Sequence, residues 1–169
     1  MARSENPSSS DDIVFRFEAK PSDAQAVREI IATTGFFRQD EIEIAVELVD
    51  ERLSKGDASG YHFVFAENDG EVAGYACYGP IPCTIGSFDL YWIAVDPKFQ
   101  RHGLGQTLMQ AAESAIRDSG GRHIYIDTSG RPQYEPTRSF YKRCGYEIAT
   151  TLDDFYETGD DKVVWRKIL

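Results

Sequence analysis

The stretch FQRHGLGQTLMQ, Phe99 to Gln110, decides the architecture of this chain because it joins a strand pattern to a helix pattern. The preceding SFDLYWIAVDP is rich in apolar and aromatic residues, as strands are, and Asp96-Pro97 ends it. Apolar residues then recur at the spacing of one helix face: Leu104, Leu108, Ala112, Ala115 and Ile116. Gly103 and Gly105 therefore lie in a strand-to-helix turn, where proteins often bind phosphate groups.

Two familiar phosphate-binding motifs fit this turn poorly. The Walker loop needs a lysine and a hydroxyl residue after its second glycine, and neither follows at that spacing. The dinucleotide fingerprint GxGxxG would place its third glycine at position 108, which is Leu108. That fingerprint also opens a βαβ unit near the start of a parallel sheet, whereas four predicted strands precede Gly103. A nucleotide-phosphate enzyme of either type is disfavoured.

The other segments predict a mixed α/β sheet in a single domain. Reading along the chain gives the order β-α-α-β-β-β-α-β-α-β-β, with a hairpin at Asp69-Gly70 and helix stops at Gly35 and Gly145. A meander followed by strand–helix–strand units is typical of a mixed sheet rather than a doubly wound one. YEIATTL and KVVWRKI are the last two strands, with DDFYETGDD as the loop between them. We expect one domain over residues 13–169 and a disordered leader over 1–12.

Composition narrows the class of protein. The chain has 169 residues, 41% of them hydrophobic, and no apolar run approaches the roughly 18 residues of a membrane span. The first residues lack the apolar core of a signal peptide, so we expect a cytoplasmic protein without a membrane partner. A net charge of −10 disfavours nucleic acid and mildly favours cationic or amine ligands, although excess acid is also a common route to solubility.

The cysteines and histidines show no metal-binding or disulfide pattern. Cys77, Cys83 and Cys144 are an odd, scattered set without a CxxC pair, which fits reduced thiols. The three histidines are equally scattered, at positions 62, 102 and 123. We therefore expect no metal site.

A third interpretation of the glycine turn rests on a combination of motifs. Gln100-x-x-Gly103-x-Gly105 matches the pattern [QR]-x-x-G-x-[GA], and a strand ending in IAVD precedes it. About thirty-five residues later, FYKRCGYE matches FY-x-x-x-G-[FY]. With these residues the chain resembles the GNAT superfamily of N-acetyltransferases, and the order of strands and helices agrees over residues 13–167.

The resemblance implies a fold and an activity. The fold would be a mostly antiparallel sheet of about seven strands with about four helices on its two faces. The activity would be transfer of an acetyl group from acetyl-CoA to a primary amine, by direct attack in a ternary complex and without a metal. A module that binds or senses CoA or acyl-CoA without turnover, on the same fold, is the alternative.

The resemblance also implies where acetyl-CoA binds. Backbone amides from Arg101 to Thr107 would cradle the pyrophosphate, because a helix N-terminus attracts anions and glycine lets the backbone approach them. Backbone groups of Ile93 and Val95 would hydrogen-bond the pantetheine arm. Tyr134 stands where the family often has an asparagine that contacts this arm. The implied cofactor-binding residues are Ile93, Val95, Gln100, Arg101, His102, Gly103, Leu104, Gly105, Gln106, Thr107 and Tyr134.

The reaction needs a base for the amine and a donor for the departing thiolate. By resemblance, Tyr141 would be the donor, and Asp89 occupies a position where some relatives carry a glutamate base. A strand period of two predicts that residues 89, 91, 93 and 95 share one face. Asp89 is also compatible with a solvent-facing strand carboxylate. Tyr91, Asp127 and a bound water are the other candidates for the base.

The acceptor is the least determined part of the prediction. The segments GFFRQDEIEIAVE and DDFYETGDD would face the acceptor, and both combine aromatic and acidic residues that suit a cationic amine. Such a composition is also ordinary for surface loops. The residues concerned are Phe36, Phe37, Asp40, Glu41, Phe155, Tyr156, Asp160 and Asp161. A homodimer is compatible with the sequence but is not indicated by it.

Overall fold

The computed structural model describes residues 13–100 and 103–169, which form one sheet with helices on both faces. Predictions for the leader and for Arg101 and His102 lie outside the described residues. In chain order the described elements are β1 (Val14–Arg16), α1 (Asp23–Thr34), α2 (Gln39–Lys55), β2 (His62–Asn68), β3 (Glu71–Pro80), β4 (Ser87–Val95), α3 (Leu104–Asp118), β5 (His123–Ser129), α4 (Glu135–Arg143), β6 (Glu147–Glu157) and β7 (Asp160–Ile168).

The sheet has the strand order β1-β2-β3-β4-β5-β7-β6. Among the described strands, β4 and β5 form the one parallel pair, and every other neighbouring pair is antiparallel. Seven strands and four α-helices in the described part of the chain agree with the fold predicted from the sequence. Within residues 13–100 and 103–169, no helix is both long and apolar enough to span a membrane.

A gap opens in the middle of this sheet. The parallel pairing of β4 with β5 covers three residue pairs, from Ser87 with His123 to Asp89 with Tyr125. Beyond Asp89, β4 stays bonded to β3 and β5 stays bonded to β7, but the two strands are not paired with each other. The C-terminal halves of β4 and β5 therefore separate.

Two hydrophobic cores cover the two faces of the sheet. On one face, α1 and α2 pack over β2 and β3 through residues such as Val27, Val49 and Phe63. On the other face, α3 and α4 pack over the centre of the sheet through residues such as Leu108 and Tyr141. The amphipathic faces read from the sequence account for both layers.

Local signals at the helix ends agree with the predicted boundaries. Gly35 follows α1 with a φ of 71°, the left-handed conformation that glycine adopts without a steric penalty. Gly145 follows α4 with a φ of 87°, and there the amide of Tyr146 donates to the carbonyl of Tyr141 at 3.0 Å. Asp69-Gly70 forms the predicted turn between β2 and β3.

The segment DDFYETGDD is not the loop that its composition predicted. β6 continues to Glu157 and β7 begins at Asp160, so most of the segment lies in the two strands. Pairing is irregular between Leu152 and Glu157, where Asp154 has a φ of 51°. The amide of Asp154 donates to Asp161 at 2.9 Å, and this bond stabilises the irregular stretch. The acidic residues therefore lie in a distorted pair of strands. From their composition alone, the sequence predicted a loop.

A β-bulge in β4 changes which residues share a face. Cys77 is paired with Trp92 and Tyr78 with Leu90, which leaves Tyr91 as the extra residue. As a result Asp89 and Tyr91 face the α1/α2 side, where the Tyr91 ring lies 5.5 Å from that of Tyr61. Ile93 and Val95 pack on the α3/α4 core instead. The prediction that residues 89, 91, 93 and 95 share one face is wrong, because the bulge shifts the period of two.

Candidate active site

Unpaired backbone groups of β4 line one side of the gap. The amide of Asp96 donates to the carbonyl of Ala73 at 2.9 Å, which fixes the alternation of the antiparallel ladder. The backbone groups of Trp92 and Ala94 then face β3, while those of Ile93 and Val95 face the gap. The side chain of Gln100 donates to the carbonyl of Val95 at 3.0 Å. Gln100 thus connects the glycine turn to β4 by this hydrogen bond. The backbone amide and carbonyl of Ile93 and the amide of Val95 still face the gap.

Backbone groups of β5 line the other side of the gap. The amide of Gly130 donates to the carbonyl of Asp161 at 2.7 Å, so the same alternation directs the backbone groups of Asp127 and Ser129 towards β4. The carbonyl of Ser129 accepts a hydrogen bond from Arg138 of α4 at 2.8 Å. The gap therefore has polar backbone edges on both strands, of the kind that an extended, amide-bearing ligand can pair with.

The glycine turn presents the N-terminus of α3 beside this gap. Gly103 precedes the helix with a φ of 73°, and its carbonyl accepts from the amides of Gln106 and Thr107, each at 3.1 Å. Those two amides were expected in the phosphate cradle and are already bonded. The amides of Leu104 and Gly105 remain in the first turn without an intrahelical partner, as at any helix start. Free amides at the start of a helix can bind an anion, so these two agree with the predicted phosphate cradle.

The two glycines of the turn are required for different reasons. Among the described residues, no atom lies within 4 Å of a Cβ built on Gly103. The positive φ of Gly103, rather than a lack of space, is therefore what disfavours other residues at this position. A Cβ on Gly105 would stand 3.3 Å from the Phe140 ring of α4. Gly105 therefore permits close packing of α3 against α4. The approach of a ligand, predicted for both glycines, stays a prediction, and Gly105 has this packing contact in addition.

Tyr141 lies in the core on the α3/α4 side of the sheet. Its residue is 6% exposed, and its ring centroid lies 6.1 Å from those of Tyr146 and Trp165. Burial raises the pKa of the Tyr141 phenol well above its usual value, so it stays protonated at neutral pH. Among the described residues its hydroxyl has no hydrogen-bond partner, so its donor capacity is not already used.

Asp89 lines a cavity of about 190 Å³ on the opposite face of the sheet. The cavity is lined by Asp89, Leu90, Tyr91, Tyr125 and Asp127. Burial raises the pKa of Asp89, the charge of Asp127 raises it further, and Lys162 opposes them. Burial and the neighbouring Asp89 likewise raise the pKa of Tyr91 to about 12. The structure thus brings Asp89, Tyr91 and Asp127 together, although they come from two strands.

Comparisons with known proteins identify the family. Residues 24–146 match the model of the acetyltransferase (GNAT) family. The chain belongs to this family. A crystal structure of a candidate GNAT acetyltransferase from Desulfovibrio desulfuricans is 49% identical, with a TM-score of 0.91 over 92% of this chain and 98% of that one. The resemblance read from the sequence and the predicted fold are both confirmed.

Two further relatives show how far the likeness extends. An N-alpha-acetyltransferase from Sulfurisphaera tokodaii is 28% identical over 109 residues, which are 59% of this chain and 64% of that protein. The match therefore spans less than two thirds of that curated relative. A ribosomal-protein-S18-alanine N-acetyltransferase from Escherichia coli has a TM-score of 0.72 at 19% identity, over 92% of this chain and 93% of that one. At this identity the likeness concerns the GNAT fold alone.

The carboxylates expected at the GNAT acceptor side mostly serve local structure. Asp40 pairs with Arg38 at 3.0 Å, and Glu41 accepts from the Arg38 amide at 2.8 Å at the start of α2. Asp160 is buried and accepts from the hydroxyl of Ser129 at 2.5 Å, while Asp161 bonds the amide of Asp154. Composition alone did not reveal these partners.

The expected aromatic residues divide into a packed one and an exposed set. Phe37 packs edge-on against Trp92, with ring centroids 5.1 Å apart. Phe36, Phe155 and Tyr156 are exposed. The Tyr134 ring lies 6.5 Å from that of Phe36, so Tyr134 sits beside the segment between α1 and α2. Its expected contact with the cofactor arm stays a prediction.

Tyr125 and Lys162 lie in or beside the cavity and were not predicted from the sequence. Tyr125 lines the cavity from β5, and Lys162 pairs with Asp127 at 2.5 Å from β7. Alternation within RHIYIDTS would have put Tyr125 and Asp127 on one face. Nothing in the sequence indicates that Lys162 reaches Asp127.

The cysteines stay outside this chemistry in the described part of the chain. Cys77 is buried and Cys144 partly buried, and burial raises the pKa of both thiols, whereas Cys83 is exposed. None of them forms a disulfide within residues 13–100 and 103–169. The same residues contain no cluster of His, Cys, Asp and Glu side chains placed to hold a metal ion.

Proposed function

We propose that this protein is an acetyl-CoA-dependent N-acetyltransferase that acts on a primary amine by direct attack in a ternary complex. One observation carries the proposal: β4 and β5 separate just beyond Asp89, and Tyr141 packs on the opposite face of the same sheet. An acyl donor held on the α3/α4 side and an amine entering from the α1/α2 side would meet in this gap.

The described residues fit the acyl donor. The amides of Leu104 and Gly105 suit a pyrophosphate because they have no partner among the described residues and lie at the positive end of the α3 dipole. The gap-facing backbone groups of Ile93 and the amide of Val95 suit the amide-bearing pantetheine arm. Acetyl-CoA, when bound, supplies the acetyl group as a thioester. Direct roles of Gln106 and Thr107 stay predictions, as do those of Arg101 and His102.

Asp89 and Tyr141 have complementary chemistry for this reaction. The Asp89 carboxylate takes a proton from the acceptor ammonium, and its raised pKa makes it a stronger base than an exposed aspartate. The Tyr141 hydroxyl donates to the departing sulfur, since a thiolate in an apolar environment is unstable without a proton or a hydrogen bond. No covalent intermediate is needed, which agrees with the placement of the cysteines.

A cationic acceptor fits the cavity. The carboxylates of Asp89 and Asp127 line it, and only Asp127 is paired with a lysine, so the negative charge is not fully balanced. Tyr91 and Tyr125 add aromatic rings that attract cations. The support comes from Asp89 and Asp127, because Asp40, Asp160 and Asp161 have structural partners. Because relatives are named N-alpha-acetyltransferase and ribosomal-protein-S18-alanine N-acetyltransferase, peptides with free N-termini are also tested as acceptors.

The alternative function is a GNAT-fold module that binds CoA or acyl-CoA without turnover. An acceptor screen with acetyl-CoA, monitored by release of free CoA thiol, separates the two. The panel contains polyamines, amino acids, aminoglycosides and peptides with free N-termini, each with a neutral or anionic analogue. We expect turnover with cationic amines. Binding of acetyl-CoA without turnover on any acceptor would favour the module, and turnover confined to neutral or anionic acceptors would exclude a cationic acceptor.

A homodimer and a cytoplasmic location stay predictions. β6 is the edge strand of the sheet, and its residues are exposed along its whole length. An exposed edge strand of this kind can pair with a second copy of the chain. Analytical ultracentrifugation tests the dimer. Fractionation of the cells that produce the protein tests the location.

A further inference from the structure

Lys162 is held beside Asp127 by two contacts. Its ammonium lies 2.5 Å from an Asp127 carboxylate oxygen and 4.7 Å from the centre of the Phe155 ring. Lys162 pairs in register with Ser129, two residues beyond Asp127 on β5, so it reaches Asp127 along the same face of the sheet. Its side chain is only 20% exposed. The two contacts together hold the ammonium of Lys162 against the carboxylate of Asp127.

Asp127 in turn faces Asp89. Asp89 is in register with Tyr125 on the parallel neighbour β5, and Asp127 follows two residues later on the same face. Both carboxylates line the same small cavity. The negative charge of Asp127 therefore acts on Asp89 across this cavity and raises the pKa of Asp89.

We propose that Lys162 and Asp127 are positioning residues for the acetyl transfer. Lys162 holds the Asp127 carboxylate in place on the cavity wall, and the charges of the pair act on the Asp89 carboxylate across the cavity. The proposal rests on the proposed function, in which Asp89 is the base. It assigns the ion pair a part in the chemistry although neither residue needs to touch the reacting atoms.

The direction of each effect follows from the charges. Asp127 disfavours a second negative charge on Asp89, which makes Asp89 a better proton acceptor near neutral pH. Lys162 opposes this effect, because its positive charge favours the ionised form of Asp89. The titratable and charged groups near this cavity include Tyr91 and Tyr125 on its wall, and Tyr61 and Cys77 beside Tyr91. They also include Tyr156, with Tyr134, Asp160 and Glu41 of α2 near it, and the pair of Arg166 with Glu147. Of these, Arg166 is already paired with Glu147 at 2.6 Å.

The test is a ¹³C NMR titration of the aspartate carboxyl groups in the whole, ligand-free protein. The Asp89 resonance is assigned from its loss in Asp89→Asn. We expect Asp127→Asn to lower the pKa of Asp89 and Lys162→Met to raise it, whereas Lys162→Arg leaves it near the wild-type value. Arg166→Met removes a cation from the same strand and is the matched control, with no shift expected.

Opposite shifts from the two partners of one ion pair are the signature of charge coupling. A purely structural ion pair would give no shift, or shifts of the same sign in both variants, and either result overturns the proposal. In kinetics, the acid limb of kcat/KM should move to lower pH in Asp127→Asn and to higher pH in Lys162→Met. If the NMR shifts are found but the protein has no turnover, the proposed function fails and the charge coupling stands. If turnover is found without the shifts, only the coupling fails.

Discussion

Gly105 and Phe140 are in contact across the two helices beside the gap: a Cβ on Gly105 would stand 3.3 Å from the Phe140 ring. The contact joins the first turn of α3 to α4, the helix that carries Tyr141. This glycine therefore lets the turn proposed to bind phosphate pack closely against the helix that carries Tyr141, the proposed donor.

We predict that Gly105→Val lowers the free energy of unfolding by about 1–3 kcal/mol, the usual effect of overpacking. Phe140→Leu in the same chain should recover part of this loss, because it removes the ring that the new side chain meets. Gly103→Val is the matched control: its cost of about 1–3 kcal/mol comes from the positive φ, and Phe140→Leu should not relieve it. Urea denaturation measures all four variants. Equal rescue of both glycine variants would contradict the packing role of Gly105.

Tyr141→Phe should reduce kcat by roughly 10²-fold, the lower end of a general-acid contribution, with acetyl-CoA affinity little changed. The substitution keeps the ring that packs on Tyr146 and Trp165 and removes only the hydroxyl. Tyr146→Phe is the control, because it removes another buried phenol, one that donates to the sulfur of Met109 at 3.4 Å. Steady-state kinetics and calorimetry provide the readouts. A Tyr141→Phe enzyme as active as Tyr146→Phe would make Tyr141 a packing residue.

Asp89→Asn should reduce kcat/KM by about 10²-fold near neutral pH, as expected for loss of a general base. Asp89 works as a base only when ionised, so the wild-type rate falls as the pH drops through its raised pKa. Above that pKa the variant should lose most where the acceptor is still an ammonium, and least at high pH, where the free amine is abundant. A pH–rate profile measures this. Asp118→Asn, an exposed acid at the end of α3, controls for the change in net charge, and a uniform loss at all pH values would indicate a structural role for Asp89.

Lys167→Met should lower the free energy of unfolding by about 3–5 kcal/mol, because it leaves a buried carboxylate unpaired. The ammonium of Lys167 donates to both oxygens of Glu113 on α3 at 2.8 Å and to the carbonyl of Cys144 after α4, also at 2.8 Å. The double variant Glu113→Leu, Lys167→Met should recover most of the loss, since a paired charge is replaced by apolar groups. Thermal and chemical denaturation test this. A double variant no more stable than Lys167→Met alone would refute the account.

Several features of this protein were determined by its sequence alone. The order of strands and helices, the stops at Gly35 and Gly145 and the turn at Asp69-Gly70 follow from contacts within a few residues. The glycine turn before α3 is likewise a local signal, and the FYKRCGY element fixes a tyrosine on α4. The periodicity of apolar residues and the backbone conformations open to glycine depend on residues close together in the chain. They can therefore be predicted without knowledge of the fold.

Tertiary structure determined which face of the sheet carries Asp89 and which charged residues surround it. The bulge at Tyr91 depends on how β4 pairs with β3, and it separates the faces of Asp89 and Ile93, which a period of two had joined. Asp89, Asp127 and Lys162 come from three strands; the sheet order brings the two aspartates to one cavity and Lys162 to Asp127. The partners that engage Asp40, Asp160 and Asp161 also became known only from the structure. Sequence spacing records neither register nor the distance between residues far apart in the chain, and the interaction between two charges depends on that distance.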